Sequence, residues 1–291
     1  MGDLWQYLRS LIGGRSHAID APLRTRASLS DDFEFSAPNH QNAIDLVPGW
    51  NHAFPERFAL KAGAYPFHED DRIHWALSQF GSLADKHVLE LGPLEGSHTS
   101  MLERAGAKRV DAFEANKIAF LRCLIAKEVM ELRASHFQLG DFVSGLEAPT
   151  RYDMIVACGV LYHMSNPLLL LERMAARTDA IYIWTHYFDE SEMPLDDPRR
   201  GPFRSPDRPH IESIRTEDSL IGPIRLHQRS YHGAWKDARY CGGPKDNHFW
   251  MEKVQIVEAL RALGLSDLRF AHEEPNHPNG PAISIFASRS Q

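Results

Sequence analysis

From residue 86 onwards, with one interruption, apolar positions follow two alternating spacings. Short apolar runs, typical of buried strands, alternate with stretches in which every third or fourth residue is apolar, typical of helices. The predicted strands are 88–91, 109–113, 137–139, 154–157, 180–184, 268–272 and 282–287, and the predicted helices are 69–80, 97–105, 116–132, one that begins at Pro167, and 249–263. Strands and helices in this order predict an α/β fold, a doubly wound Rossmann-like sheet of seven strands.

The first part of the chain does not follow this alternation. Residues 1–14 are amphipathic and predict a docking helix, and prolines interrupt regular structure from there to about residue 70. The segment has no cleavable apolar core, so we do not expect a signal peptide. We interpret residues 1–70 as an N-terminal arm or cap, followed by a ligand-binding domain of residues 71–291.

Residues 190–246 form the interruption within the domain. They are rich in proline and arginine, but Tyr231, Trp235 and Tyr240 lie among them, so a disordered linker is not expected. We predict an insertion after the fifth strand that covers the substrate.

The composition is that of a globular protein and narrows the function. The 291 residues carry a formal net charge of −7, which disfavours a nucleic-acid partner without excluding a local basic groove. Three widely spaced cysteines give neither a disulfide framework nor a metal-binding spacing. No apolar stretch reaches the roughly 18 residues of a membrane span. We therefore expect a cytoplasmic protein with no metal and no membrane contact.

The first strand ends in an acid and a turn that contains glycines, Glu90-Leu91-Gly92-Pro93-Leu94-Glu95-Gly96. In doubly wound sheets a ligand binds at this edge, and glycine lets it approach the backbone. Leu94 stands where the dinucleotide motif has its second glycine, so an NAD(P)-dependent oxidoreductase is disfavoured. Glu90, Gly92, Leu94 and Gly96 are candidate contacts of a cationic ligand without a diphosphate, although Glu90 could instead stabilise the helix dipole.

The next two strand ends offer partners for a nucleoside. Glu114 lies 24 residues after the first acid, close to the spacing at which an acid binds ribose hydroxyls in the dinucleotide fold. Ala115 and Asn116 follow it and are candidate adenine contacts. After the third strand, Asp141 could accept from the adenine amino group and Phe142 could lie beside the base. Alternatively, both acids are solvent-exposed turn residues.

The turn after the first strand resembles motif I of class I S-adenosylmethionine (SAM) methyltransferases. At the end of the fourth strand, Gly159-Val160-Leu161-Tyr162-His163, followed by Pro167, is similar to the G-V-L-Y-H-x-x-x-P signature of methyltransferases related to the tRNA uridine-34 carboxymethyl-transferring enzymes. The similarity extends over residues 86–187. It implies the class I methyltransferase fold with SAM as cofactor. It also implies that Cys158, Gly159 and Val160 pass along the methionine moiety, with Glu90 at its amino-acid end, and that Tyr162 and His163 lie near the transferred group.

The carboxymethyl branch of these enzymes holds the extra carboxylate of carboxy-SAM with a tyrosine and a C-terminal arginine. Tyr162 matches the tyrosine, but residues 279–282 contain no basic side chain. An unpaired carboxylate in a buried pocket is costly, so ordinary SAM is predicted. Arg72 or an arginine of the insertion could replace the missing arginine.

The predicted function is methyl transfer from SAM to a small-molecule acceptor. In-line displacement needs an aligned acceptor in a dry site, and an acceptor hydroxyl or protonated amine also needs a base. His163 or His186, with Tyr162 beside them, could supply that base, and both histidines could equally be structural. The alternatives are an RNA-modifying methyl or carboxymethyl transferase and a protein that binds SAM without catalysis.

Overall fold

The structure, a computed structural model, describes residues 32–205 and 208–290. The chain divides into two compact units, Met1–Pro38 and Asn39–Gln291, and the sheet and the candidate site belong to the second. The helix predicted for residues 1–14 lies outside the described residues. The predicted domain boundary at residue 70 stays a prediction.

A seven-stranded sheet is the centre of the second unit. Seven of the strands in the described residues form this sheet. All the strands, in chain order, are β1 His87–Leu91, β2 Arg109–Glu114, β3 Ser135–Leu139, β4 Met154–Cys158, β5 Ala180–His186, β6 Arg204–Ser205, β7 Arg208–Glu212, β8 Ile214–Ser219, β9 Gly222–Arg229, β10 His248–Trp250, β11 Asp267–Glu274 and β12 Ala282–Ser288. The large sheet has the order β3-β2-β1-β4-β5-β12-β11. Its first five strands along the chain are parallel, and β12 is antiparallel to both neighbours. The predicted doubly wound α/β fold is confirmed, and the strand order reverses between β1 and β4, where such folds bind ligands.

Helices cover both faces of this sheet. They are α1 His40–Leu46, α2 Asp71–Phe80, α3 Ser97–Arg104, α4 Lys117–Val129, α5 Phe142–Gly145, α6 Pro167–Ala175 and α7 Lys253–Ala262. Side-chain oxygens set their starts by accepting from free backbone N–H groups. Asn116 caps α4 in this way, and Asn166 caps α6, where Pro167 takes the first position.

The core lies on both sides of the central strands. On one face Leu89 and Ile183 pack with α6 and α7, and on the other Val88 and Tyr182 pack with α2 and α3. Because both faces of the sheet are covered, β5 is buried along its whole length, and most of its residues are apolar. This packing holds the carboxyl ends of β1, β2 and β4 in fixed positions around the candidate site.

Between β5 and α7 the chain forms small antiparallel sheets. β8, β9 and β10 pair in that order, and β6 pairs with β7. The helix predicted for 249–263 is wrong at its start, because Phe249 and Trp250 belong to β10 and pair with β9. Helix α7 begins only at Lys253. Pairing with a distant strand overrides a helical spacing of apolar residues, which reports only local structure.

Residues 39–70 are less irregular than the prolines suggest, since they contain α1. Trp50 and Phe54 form a buried cluster with Ala126 and Val129 of α4. The Trp50 indole N–H donates to the carbonyl of Ile44, 3.0 Å away, and so ties α1 to this cluster. The segment is therefore packed against the domain next to the turn after β1.

Candidate functional site

A cavity of about 170 Å³ lies at the carboxyl ends of β1, β2 and β4. Eight of the twelve residues predicted to bind a cofactor line it, and so does His163. The eight are Gly92, Leu94, Glu114, Ala115, Asn116, Phe142, Gly159 and Val160. Parallel strands end at one edge of the sheet, so residues far apart in the chain meet there.

The turn after β1 has left-handed backbone at Gly92 (φ +65°), Leu94 (φ +54°) and Gly96 (φ +76°). A Cβ at Gly92 would lie 3.2 Å from Val160 Cγ2, and one at Gly96 would lie 3.0 Å from the ring of Phe137. Glycine therefore suits both positions and leaves the backbone open to a ligand. Leu94 adopts this conformation at a cost of about 1 kcal/mol.

Glu114 presents a carboxylate that two backbone N–H groups hold in place. It accepts from Leu94 at 3.0 Å and from Asn116 at 2.7 Å. Burial raises the pKa of Glu114, and these hydrogen bonds oppose that shift. Each carboxylate oxygen keeps a second lone pair, so the side chain can still accept from two hydroxyls of a ligand in the cavity.

Glu90 does not line the cavity. Its side chain is buried, accepts a hydrogen bond from the Thr99 hydroxyl, and lies 3.9 Å from Nδ1 of His98. Burial raises the pKa of Glu90, and the neighbouring His98 opposes the shift. Glu90 thus belongs to a buried polar cluster with His98, Asp70 and Arg72.

Asp70 joins the two cations of this cluster. It accepts from His98 Nε2 at 2.9 Å and from Arg72 Nη2 at 2.6 Å. Burial opposes the shift, but the Cys158 sulfur and the Asp70 carboxylate raise the pKa of His98 to about 10. Arg72 also stacks on Trp184, with its guanidinium carbon 4.5 Å from the ring centre. Arg72 is therefore already paired and is a poor substitute for the missing C-terminal arginine.

The other predicted cofactor residues outside the cavity lining are Gly96, Asp141 and Cys158. Gly96 precedes the first residue of α3. Asp141 caps α5, where it accepts from the N–H of Ser144 at 3.0 Å and from its hydroxyl at 2.7 Å. Cys158 lies at the end of β4 beside the cluster of His98.

His163 lines the cavity and is held by the insertion. Its Nδ1 lies 2.5 Å from the Tyr231 hydroxyl, which also accepts from the N–H of Gly243 at 2.8 Å. Burial holds the pKa of His163 well below its ordinary value, and the neighbouring His248, His186 and Arg229 add to the shift. The imidazole is therefore neutral at pH 7.

Tyr162 and His186 do not line the cavity but form an aromatic cluster with Trp250. The Tyr162 and His186 ring centres are 4.7 Å apart, and His186 stacks on Trp250 at 5.0 Å. His186 Nδ1 lies 2.9 Å from the carbonyl oxygen of Gly280 and 3.2 Å from that of Pro281. Carbonyls only accept, so Nδ1 carries the proton and Nε2 keeps its lone pair. Burial lowers the pKa of His186 to about 4.

Arg229, at the end of β9, is a charged residue that no sequence pattern singles out. Its guanidinium carbon lies 5.1 Å from the ring centre of Trp250. The residue is partly exposed, but its Nε is buried, and the guanidinium has no hydrogen bond or ion pair to a described side chain. Burial lowers the pKa of Arg229. A cation–π contact contributes about 1–2 kcal/mol, less than the several kcal/mol that burial of a cation costs.

The insertion supplies further walls that the sequence did not assign. Residues 240–244 line the cavity opposite the strand ends. A second cavity of about 500 Å³ shares His163, Tyr240, Cys241 and Gly242 with the first and is bounded by residues of the 50–65 segment. The aromatic residues of the insertion were the only signal in the sequence that this region is folded.

Neither a metal site nor a membrane span is found in the part of the chain that the structure describes. Residues 32–205 and 208–290 contain no cluster of three histidine, cysteine or acidic side chains placed to hold a metal ion. No helix within the same ranges is both long and apolar enough to span a bilayer. Cys123, Cys158 and Cys241 are free thiols.

The sheet order, the antiparallel β12 and the crevice at the β1–β4 reversal define the fold of class I SAM-dependent methyltransferases. The N-terminal domain of EvdMO1 with S-adenosylhomocysteine (SAH) bound is similar to this chain, with 20% identity over 87% of this chain and 95% of that one and a TM-score of 0.65. The same domain with SAH and D-fucose gives a TM-score of 0.64 at the same identity and coverage. A putative SAM-dependent methyltransferase from Listeria monocytogenes is 12% identical over 76% of this chain and 98% of that one, with a TM-score of 0.50. No protein-family model and no curated protein matches the sequence.

Proposed function

We propose that the protein is a SAM-dependent methyltransferase that acts on a small molecule. The observation that carries this proposal is the cavity at the β1–β4 reversal, where Gly92, Glu114 and Val160 meet. The EvdMO1 domain, which has the same fold, binds SAH. Leu94 narrows the turn where a dinucleotide would place its diphosphate, which favours a nucleoside without one.

The residues of the cavity fit the parts of SAM. Glu114 would accept from the ribose hydroxyls, and Ala115, Asn116 and Phe142 would surround the adenine. Gly159 and Val160 would lie along the methionine moiety. Glu90, Gly96, Asp141 and Cys158 support the walls of the site in this proposal. When bound, SAM would supply an activated methyl group on a sulfonium.

The chain's own part in the reaction is to exclude water, align the acceptor and hold its proton. Phe142, Val160 and Met164 give the cavity apolar walls. We assign the base to His186 rather than His163, because backbone carbonyls leave His186 Nε2 unprotonated, whereas His163 Nδ1 is paired with Tyr231. Tyr162, next to both rings, would position the acceptor.

The ion pairs of the insertion favour a small molecule over RNA. Arg199 is paired with Asp197 at 2.7 Å, and Arg200 is paired with Glu212 at 2.6 Å. Arginines that bind a phosphate backbone must be free of such partners or lose them on binding. These two side chains therefore support the fold of the insertion.

The test of this function is SAH binding by isothermal titration calorimetry, with NADH as the comparison ligand. We expect SAH to bind and NADH not to bind. Glu114→Ala removes charge-assisted hydrogen bonds of about 1.5–3 kcal/mol, so SAH affinity falls roughly 10- to 100-fold. The control is Glu147→Ala, an exposed acid paired with Arg173, which leaves the affinity unchanged. Wild-type protein that binds NADH but not SAH would overturn the proposal.

A further inference from the structure

We propose that the methyl acceptor carries a carboxylate and that Arg229 binds it. This inference rests on the proposed function and names the chemical class of its substrate. It makes Arg229 a residue that determines specificity rather than one that stabilises the fold.

No carboxylate of the described residues acts on the Arg229 guanidinium, and the nearby Asp246 accepts from Ser230 and Tyr231 instead. Trp250 lies under the guanidinium, and its other near neighbours are Tyr162, Tyr231, His163, His186 and His248. His248 Nδ1 donates to the carbonyl of Asp246 at 2.9 Å, and burial lowers the pKa of His248 to about 4, so this imidazole is neutral. Aromatic and neutral groups surround the cation without balancing it.

The two arginines that are fully buried among the described residues both have carboxylate partners. Arg122 pairs with Glu95 at 3.3 Å, and Arg200 pairs with Glu212 at 2.6 Å. Arg229 alone among these three has no carboxylate among the described residues. A partly buried cation that is left unpaired in the free protein suits an anionic ligand.

Charge balance at the site points to the acceptor as the source of the anion. Arg229 of β9 pairs with His248 of β10, whose ring centre lies 6.2 Å from that of His163, and His163 lines the proposed SAM cavity. If SAM is bound there, its sulfonium and the Arg229 guanidinium are two cations with the acceptor site between them. A carboxylate in that space would stabilise both, whereas a neutral acceptor would leave them repelling each other. The Trp250 indole N–H is a further buried donor without a described partner.

The experiment titrates benzoate, salicylate and phenylacetate, and the neutral amide of each, into SAH-saturated protein by calorimetry. We expect at least one carboxylate to bind and its amide to bind at least tenfold more weakly. Arg229→Gln abolishes this preference and leaves SAH affinity unchanged. The matched control is Arg225→Gln on the same strand, whose arginine faces Glu190 and Glu252 and whose loss leaves carboxylate binding intact.

A second measurement separates binding from folding. Removal of a partly buried cation that has no ion pair costs the fold little, so Arg229→Met should melt at or above the wild-type temperature. A fall of several degrees would show that Arg229 is structural and would overturn the inference.

Two further outcomes have a clear meaning. If SAH binds but no carboxylate does, the inference fails while the proposed function stands; if SAH does not bind, the proposed function fails first. A carboxylate on the donor is tested with carboxy-SAM. Preference for carboxy-SAM over SAM that Arg229→Gln removes, without benzoate binding, would place the anion on the donor and overturn the assignment to the acceptor.

Discussion

The proton of His186 is placed by two backbone carbonyls, those of Gly280 and Pro281. A neutral ring that donates from Nδ1 leaves Nε2 as an acceptor, and burial keeps the ring neutral down to about pH 4. A base that is neutral over this range does not lose its lone pair near pH 6.5, where an ordinary histidine would. The acid limb of a His186-dependent reaction therefore lies near pH 4.

We predict that long-range 1H–15N NMR spectra show His186 as the Nδ1–H tautomer at pH 7 and unchanged at pH 5.5. The physical reason is that protonation of a buried ring without an acid partner is costly. The internal control is His98, whose pKa is raised to about 10 and which should give the spectrum of a protonated ring at both pH values. A His186 ring that gains a proton between pH 7 and pH 5.5 would contradict both the tautomer and the assignment of the base.

At the scale of elements, one buried arginine joins three parts of the chain. Arg122 of α4 pairs with Glu95 in the turn after β1 and donates to the carbonyls of Pro48 and Ala238. Glu95 also accepts from the backbone N–H groups of Asn51 and His52. This one ion pair thus connects residues 48–52, the insertion and the turn after β1.

We predict that Glu95→Ala lowers the free energy of unfolding by about 3–5 kcal/mol, because it leaves Arg122 buried without its charge partner. Urea unfolding followed by circular dichroism measures the change. The double variant Glu95→Leu with Arg122→Met, which removes both charges, should recover part of the loss. If Glu95→Ala unfolds at the wild-type midpoint, the pair does not hold these elements together.

Sequence patterns predict features that depend on local contacts and miss those that depend on contacts between distant residues. The strands, the helices and most cavity residues could be predicted, because periodicity and strand-end acids are local signals and a parallel sheet gathers its carboxyl ends. The start of α7 was wrong, because Phe249 pairs with β9 rather than continuing a helix. Arg122 meets partners 27, 74 and 116 residues away, and no local pattern reports such contacts. For the same reason Arg229 could be found only in the folded chain.

For the whole molecule, the buried histidines set the pH range in which the fold is stable. Burial lowers the pKa of His52 to about 3 and that of His68, His186 and His248 to about 4. In the unfolded chain each returns to about 6.5 and takes up a proton as the pH falls. The stability from these neutral rings is therefore present above pH 6.5 and is lost as the pH falls from there towards 4.

His98 changes the free energy of unfolding with pH in the opposite direction. Because its pKa rises to about 10 beside Asp70, the stability it contributes is complete below pH 6.5 and is lost as the pH rises towards 10. Burial also raises the pKa of Glu90, Glu95 and Glu114, and their protonation in the folded state offsets part of the loss in acid. Together these groups place the maximum of stability near neutral pH.

We predict that the free energy of unfolding is lower at pH 5.5 than at pH 7, measured by urea unfolding. Each buried histidine with a folded pKa near 4 removes about 1.4 kcal/mol at pH 5.5 relative to its fully neutral state. His68→Gln, which removes one such ring, should make the difference between the two pH values smaller by about that amount. Equal or greater stability at pH 5.5 would contradict the prediction, because it would mean that the folded protein takes up at least as many protons between pH 7 and pH 5.5 as the unfolded chain does.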